Sequence, residues 1–255
     1  MTQPLLEVKN LVMRFGGLMA VNHVSLDVNE GQIVSLIGPN GAGKTTVFNC
    51  ISGFYKPSAG EVLFKGKPMH KLPGHLIARH GMVRTFQNIR LFKEMTLLEN
   101  LLVAQHMHAE RNLLKGMLNL PSYKAKEQEL EDRSAEWLER VNLLEFANRE
   151  AGTLAYGQQR RLEIARCMVT QPTLLMLDEP AAGLNPQETQ ALDQLIIELR
   201  DKYSVTLLLI EHDMKLVMGI SDQIVVINQG APLATGTPAE ILGNQAVIKA
   251  YLGEE

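Results

Sequence analysis

The sequence predicts an α/β protein built on a largely parallel sheet, and three observations carry that prediction. Short, almost uninterrupted apolar runs, IVSLI at 33–37, TLLML at 173–177 and VTLLLI at 205–210, read as strands buried on both faces, the pattern of a parallel sheet covered by helices. Each run ends in polar chemistry: a glycine-rich turn, then Asp-Glu-Pro, then Glu-His-Asp. Between Asn88 and Cys167 the strand signals vanish. A helical subdomain is therefore expected over 88–167, interrupting a core made of 1–87 and 168–255.

The remaining elements follow in chain order. TVFNCIS (46–52) reads as the helix after the glycine-rich turn, and MVRTF (82–86) as a strand leading to Gln87. Thr96 with Glu99 forms a capping box before an apolar run. YKAKEQELEDRSAEWLERV (123–141) is a charged helix whose charges suit a solvated face with i,i+4 pairs, with Trp137 turned to the core. The stretch 109–123, broken by Gly116 and Pro121, defines no element. LAYGQQRRLEIARC (154–167) reads as an amphipathic helix: Leu162, Ala165 and Val169 face inward, and Arg160, Arg161 and Arg166 are expected to point outward. Asn185-Pro186-Gln187-Glu188 and Thr237-Pro238-Ala239-Glu240 each supply an N-cap, a first-turn proline and a glutamate at N3.

Composition narrows the class. With 255 residues, 45% hydrophobic and 21% charged, the chain reads as an ordinary globular protein. A net charge of −3 offers no long-range attraction for nucleic acid, and no basic stripe is present. Cys50 and Cys167 have neither metal spacing nor a disulfide framework, which suits a reducing cytosol. The N-terminus lacks a signal-peptide pattern and no apolar run is long enough to span a bilayer, so a membrane role is expected to work through a partner. No regulatory domain is expected after the core.

GPNGAGKT, from Gly38 through Pro39, Asn40, Gly41, Ala42, Gly43 and Lys44 to Thr45, with Thr46 following, is a complete phosphate-binding loop between a strand and a helix. Glycines let backbone N–H groups turn inward, and the helix start favours an anion. Lys44 is expected to reach the β- and γ-phosphates and Thr45 to ligate Mg²⁺. TLLMLDEP brings Asp178 to the sheet edge as a Mg²⁺ ligand and Glu179 as the group that orients or deprotonates the attacking water. His212, after the third apolar run, can hydrogen-bond the γ-phosphate.

The order of these motifs resembles an ATP-binding cassette ATPase over essentially the whole chain. The resemblance implies a P-loop NTPase (RecA-like) core with an antiparallel β-subdomain and an inserted α-helical subdomain. It implies ATP and Mg²⁺, and head-to-tail dimers in which each ATP lies between one subunit's phosphate loop and the other's signature helix. On this basis Phe15 stacks on adenine, and Gln87 contacts Mg²⁺ and the attacking water and communicates with the membrane partner. Ala182-Gly183-Leu184-Asn185 crosses the dimer interface where the family more often has Ser-Ala-Leu-Asp. Leu154-Ala155-Tyr156-Gly157-Gln158 stands for the usual Leu-Ser-Gly-Gly-Gln. Its missing serine hydroxyl removes a γ-phosphate hydrogen bond, a loss on the order of 1.5–3 kcal/mol, while Gly157 and the open helix start remain. Tyr156 either returns a hydroxyl or occupies the space.

FGG at 15–17, VRTFQNIRLFKEMTLLENLLVAQH at 83–106, LAYGQQRRLEIARC and DEPAAGLNP together resemble more narrowly the ATP-binding subunits of bacterial high-affinity importers of leucine, isoleucine and valine. That resemblance implies a second ATP-binding subunit, membrane permease subunits, a periplasmic binding protein, and a place on the cytoplasmic face of the inner membrane. It also implies that Asn88–Phe92 helps receive a permease helix. The other readings are a cassette ATPase for lipid or lipopolysaccharide export, one serving DNA repair or translation, and a nucleotide-gated binding module with little turnover.

Overall fold

The computed structural model describes residues 3–108 and 121–252. Most of the stretch 109–123, which defined no element by sequence, lies outside them. Contacts divide the chain into two compact units, one up to Gln87 and again from Thr173 onward, the other Asn88–Pro172. The second boundary falls after Pro172 rather than Cys167. The residues between close the preceding helix, with Val169 N–H on the Ala165 carbonyl and Gln171 N–H on that of Met168.

In the first unit the described strands form two sheets. β1 (Leu6–Phe15), β2 (Leu18–Val28), β4 (Ala59–Phe64) and β5 (Lys67–Pro68) make an antiparallel sheet in the order β2-β1-β4-β5. β3 (Ile33–Ile37), β6 (Met82–Arg84), β7 (Leu174–Asp178), β8 (Thr206–Ile210), β9 (Gln223–Asn228) and β10 (Ala231–Gly236) make the other, ordered β10-β9-β3-β8-β7-β6. It is parallel except where β10 meets β9. The three apolar runs are its central strands β3, β8 and β7, buried at every position.

Alternation splits the side chains of this sheet between two cores. Val225 and Ile227 join Leu36, Met176 and Ile210 on the face that packs with Phe48 and Ile51 of α1 (Lys44–Ile51) and with the antiparallel sheet. Ile224 and Val226 join Ile37 on the other face. That face is covered by Val217 of α7 (Met214–Ile220), Ile241 of α8 (Pro238–Leu242) and Val247 of α9 (Gln245–Leu252). The same unit holds α2 (Gly74–Arg79) and α6 (Pro186–Tyr203). α6 and α8 begin at the caps legible in the sequence, Asn185 with Glu188 and Thr237 with Glu240.

The described residues of the second unit are helical: α3 (Leu97–Ala104), α4 (Pro121–Arg140) and α5 (Tyr156–Met168), with short 3₁₀ turns at Gln105–His108, Leu144–Phe146 and Ala151–Thr153. α3 starts at the Thr96–Glu99 capping box. Leu97, Leu101, Trp137, Leu138 and Leu162 are buried. Inside, Gln105 donates to the Leu130 carbonyl and the Ser134 hydroxyl. Buried Asn100 takes the Phe92 N–H and donates to the Phe92 carbonyl, fixing the segment before α3.

Candidate functional site

The site is assembled where adjacent parallel strands end. β3 pairs with β8, and β8 with β7, so the segments following all three emerge together at the carboxyl edge, where open α/β sheets bind ligands. After β3 the chain turns tightly, with Ala42 N–H on the Pro39 carbonyl. Glycine is required twice. A Cβ at Gly38 would lie 2.1 Å from the Ile227 carbonyl oxygen. One at Gly43, whose φ is 98°, would lie 2.6 Å from that of Ala20. Gly43 also caps α1 without a side chain, which leaves the first N–H groups of the helix for an anion.

Lys44 opens the helix and is buried. Its Nζ donates to the carbonyls of Gly38 (2.7 Å) and Pro39 (3.0 Å), folding the ammonium over the loop. Burial lowers its pKa, and the neighbouring carboxylates of Glu179 and Asp178 pull it back up. Asn40 to Thr46 line a cleft of about 500 Å³ together with Gln87, Glu179, Leu18–Ala20 of β2 and Gln229–Gly230. Phe15 ends β1 just before this part of β2, half-exposed, with its ring edge-on to Tyr55 at 5.3 Å.

Asp178, the last residue of β7, is 2% exposed. Arg84 Nη2 donates to its Oδ2 at 2.5 Å, and Thr85 Oγ1 accepts its backbone N–H. Arg84 also donates to Asn49 and Ser52, and its guanidinium lies over the rings of Phe48 and Phe86 at 5.4 and 5.3 Å. Sequence reasoning missed this clamp; the one available signal was an arginine inside an otherwise apolar strand. Glu179 takes a left-handed φ of 46°, uncommon without glycine, and its N–H bonds the Ile210 carbonyl. Its Oε2 accepts from Gln87 Nε2 at 3.0 Å and lies 4.0 Å from His212 Nδ1. Gln87 and His212 thus converge on Glu179, and Gln87 and Glu179 line one edge of the cleft.

Within the helical unit, Ala155 N-caps α5 and makes no side-chain bond. Only the reciprocal half of a capping box exists, Ala155 N–H to Gln158 Oε1 at 3.1 Å. Gly157 is buried and Tyr156 exposed. Arg160, expected to point outward, is instead wholly buried. It pairs with Glu163 at 2.8 Å, an i,i+3 neighbour equally enclosed, which no apolar-periodicity argument anticipates. Arg160 Nη2 also donates to the Tyr156 hydroxyl at 3.2 Å. That hydroxyl accepts there and keeps its own O–H to donate.

Thr45, Gln87 and Glu179 line the cleft, and Asp178 ends β7 just before Glu179 with its Oδ2 taken by Arg84; their hydroxyl, amide and carboxylate oxygens are hard ligands of the kind magnesium takes. Among the described residues no group of three His, Cys, Asp or Glu side chains could hold a metal ion by itself. Hydroxyl, amide and carboxylate oxygens beside a phosphate loop fit an ion that shares its ligands with a phosphate, the usual mode for magnesium.

Residues 21–182 match the ABC transporter family, and residues 231–255 match the family described as branched-chain amino acid ATP-binding cassette transporter. The chain is 66% identical over 254 residues to the high-affinity branched-chain amino acid transport ATP-binding protein BraF of Pseudomonas aeruginosa, covering 100% of both chains. Among solved structures it resembles the ADP conformation of MJ1267, an ATP-binding cassette of an ABC transporter. That match has a TM-score of 0.86 and 35% identity over 99% of this chain and 100% of the other. It also resembles a dimeric post-hydrolysis state of the cassette MJ0796 bound to ADP and Pi, with a TM-score of 0.76 and 25% identity over 91% of this chain and 98% of the other.

Proposed function

We propose that this chain, which belongs to the ABC transporter family of ATP-binding cassettes, is the ATP-hydrolysing subunit of an importer of leucine, isoleucine and valine. The observation that carries the activity is the convergence of Lys44, Glu179 and Gln87 around one glycine-framed cleft, with His212 beside Glu179. The full-length likeness to BraF and the match at 231–255 support the cargo.

In this reading the Gly38–Thr46 loop binds the phosphates through its open N–H groups. Lys44 leaves the loop carbonyls to neutralise the β- and γ-oxygens, and Phe15 stacks on the base. Thr45, Asp178 and Gln87 would hold magnesium, which would supply positive charge against the transferred phosphoryl group. Glu179 accepts the proton of the attacking water, Gln87 orients that water, and His212 contacts the γ-phosphate. Catalysis is mainly positioning and electrostatic stabilisation. A second cassette completes each site head-to-tail through Ala155–Gln158 at its helix start, where the dipole favours the γ-phosphate. The dimeric cassette bound to ADP and Pi supports that arrangement.

No helix among the described residues is long and apolar enough to cross a membrane. We place the chain on the cytoplasmic face, docked to permease subunits that receive cargo from a periplasmic binding protein. The absent serine at Ala155 favours one competing reading, a nucleotide-gated module with little turnover. Phosphate release by the assembled transporter separates the two. The proposal expects MgATP-dependent release that Glu179→Gln abolishes; release unchanged by that substitution, or no release at all, contradicts it.

A further inference from the structure

Glu211, the carboxylate just before the histidine, ends a strand of five buried residues and is itself wholly buried. Its Oε1 accepts the N–H of Ala181 at 2.8 Å. Its Oε2 accepts the N–H groups of His212 at 3.0 Å and Asp213 at 3.4 Å. One side chain therefore joins the turn after Glu179 to the loop carrying His212.

We infer that Glu211 is a positioning residue: its buried carboxylate fixes Glu179 and His212 relative to each other, so the two act on the same phosphate as one unit. This rests on the roles given to Glu179 and His212 above. The turn it holds needs holding. Glu179 sits in the left-handed region at φ 46°, a conformation that persists only where neighbouring bonds over-determine it. The bonds here are Glu179 N–H to the Ile210 carbonyl, Ala182 N–H to the Glu179 carbonyl, and Ala181 N–H to Glu211. On the other side, the His212 loop runs into α7, whose N-cap Asp213 accepts from Lys215 and Leu216 N–H. The histidine backbone is thus fixed at Glu211 and at a helix start.

The chemistry selects an anion with two acceptor oxygens. Ionised, Glu211 offers both oxygens to three N–H donors and keeps its charge out of solvent at little cost, since hydrogen bonds to a charged acceptor are the strong ones. Glutamine has the same shape, but its amide oxygen serves one loop while its NH₂ faces the N–H donors of the other. Aspartate keeps the charge but is one methylene too short to span both loops.

The test uses the full chain for amide NMR and nucleotide titration, and the assembled transporter for turnover. Glu211→Gln is expected to shift the amide resonances of Ala181 and His212 together and to leave those of Gly41–Lys44 in place. It should keep ATP affinity within about twofold and lower kcat at least tenfold. Glu211→Asp should fall between wild type and Glu211→Gln in kcat. In a Glu179→Gln background, Glu211→Gln should produce no further loss. An unchanged kcat in both variants overturns the proposal. So does a loss of ATP affinity as large as the loss of kcat, or amide shifts confined to one loop. If Glu179→Gln itself stays active, the role of Glu179 fails instead, and the paired amide shifts still decide whether Glu211 joins the two loops.

Discussion

At the scale of single residues, buried charge organises the site. Arg84 and Asp178 are both enclosed, with side chains 6% and 3% exposed. Removing one partner of such a pair leaves an uncompensated charge, a loss of about 3–5 kcal/mol. Arg84→Met should therefore lower unfolding stability by that amount in urea titrations, and adding Asp178→Asn should restore part of it. Lys44 is held by main-chain carbonyls and a partly desolvated pocket rather than by an ion pair, so Lys44→Ala should fold normally and lose ATP binding in a nucleotide titration. The polar residues the sequence made legible were those in a phosphate-loop motif or at the end of an apolar strand. Arg84 and the Arg160–Glu163 pair were not, and the strand-end position of Glu211 did not reveal the N–H groups it meets. Their partners are distant in sequence or lie on a helix face that periodicity assigns to solvent, and a lone charged letter does not say which carboxylate or N–H it will meet.

At the scale of elements, the caps were the most readable feature. Thr96, Asn185 and Thr237 each accept from the N3 backbone as their spacing requires, because capping depends on residues three apart and little else. Asn185→Ala should cost about 1 kcal/mol of stability, measured by denaturation. The ends of β3, β7 and β8 and of α5 were legible to within a residue; the end of the helical unit was not, since the turn that closes α5 carries no proline or glycine before Pro172. α6 also contains a titration device. Burial first, then the charges of Asp213 and Glu211, push the Asp193 carboxyl up to about 6, and its Oδ1 is buried with no hydrogen-bond partner among the described residues. A carboxyl whose folded pKa lies above its unfolded value of 3.8 takes up protons in the folded state first. Its ionisation weakens the fold as pH rises through about 6. Asp193→Asn should stabilise the chain at neutral pH, and the gain should shrink as pH falls from about 6 toward 4. A melting-temperature series across that range checks the sign. The thiols play no such part: burial pushes Cys50 to about 11 and Cys167 to about 12, so both stay protonated and unreactive.

For the whole molecule, the α/β class was legible because the central strands are continuous apolar runs that only a doubly covered sheet can bury. The sheet order was not, and it is what makes the site: with β8 between β3 and β7, a phosphate loop, two carboxylates and a histidine scattered over the chain meet at one edge. In the proposed importer, that edge becomes a motor when a second cassette closes on it. Glu179→Gln should therefore retain ATP and run as a dimer in size exclusion under saturating MgATP, whereas the wild-type chain should return to monomer as ATP is consumed. The most direct measurement of the central claim is uptake of labelled leucine into proteoliposomes holding this chain with the permease subunits and companion cassette proposed for it, the proposed binding protein outside and ATP within. ATP-dependent leucine accumulation that Glu179→Gln abolishes is the predicted result; leucine accumulation that continues with Glu179→Gln, or ATP hydrolysis with no leucine moved, would contradict it.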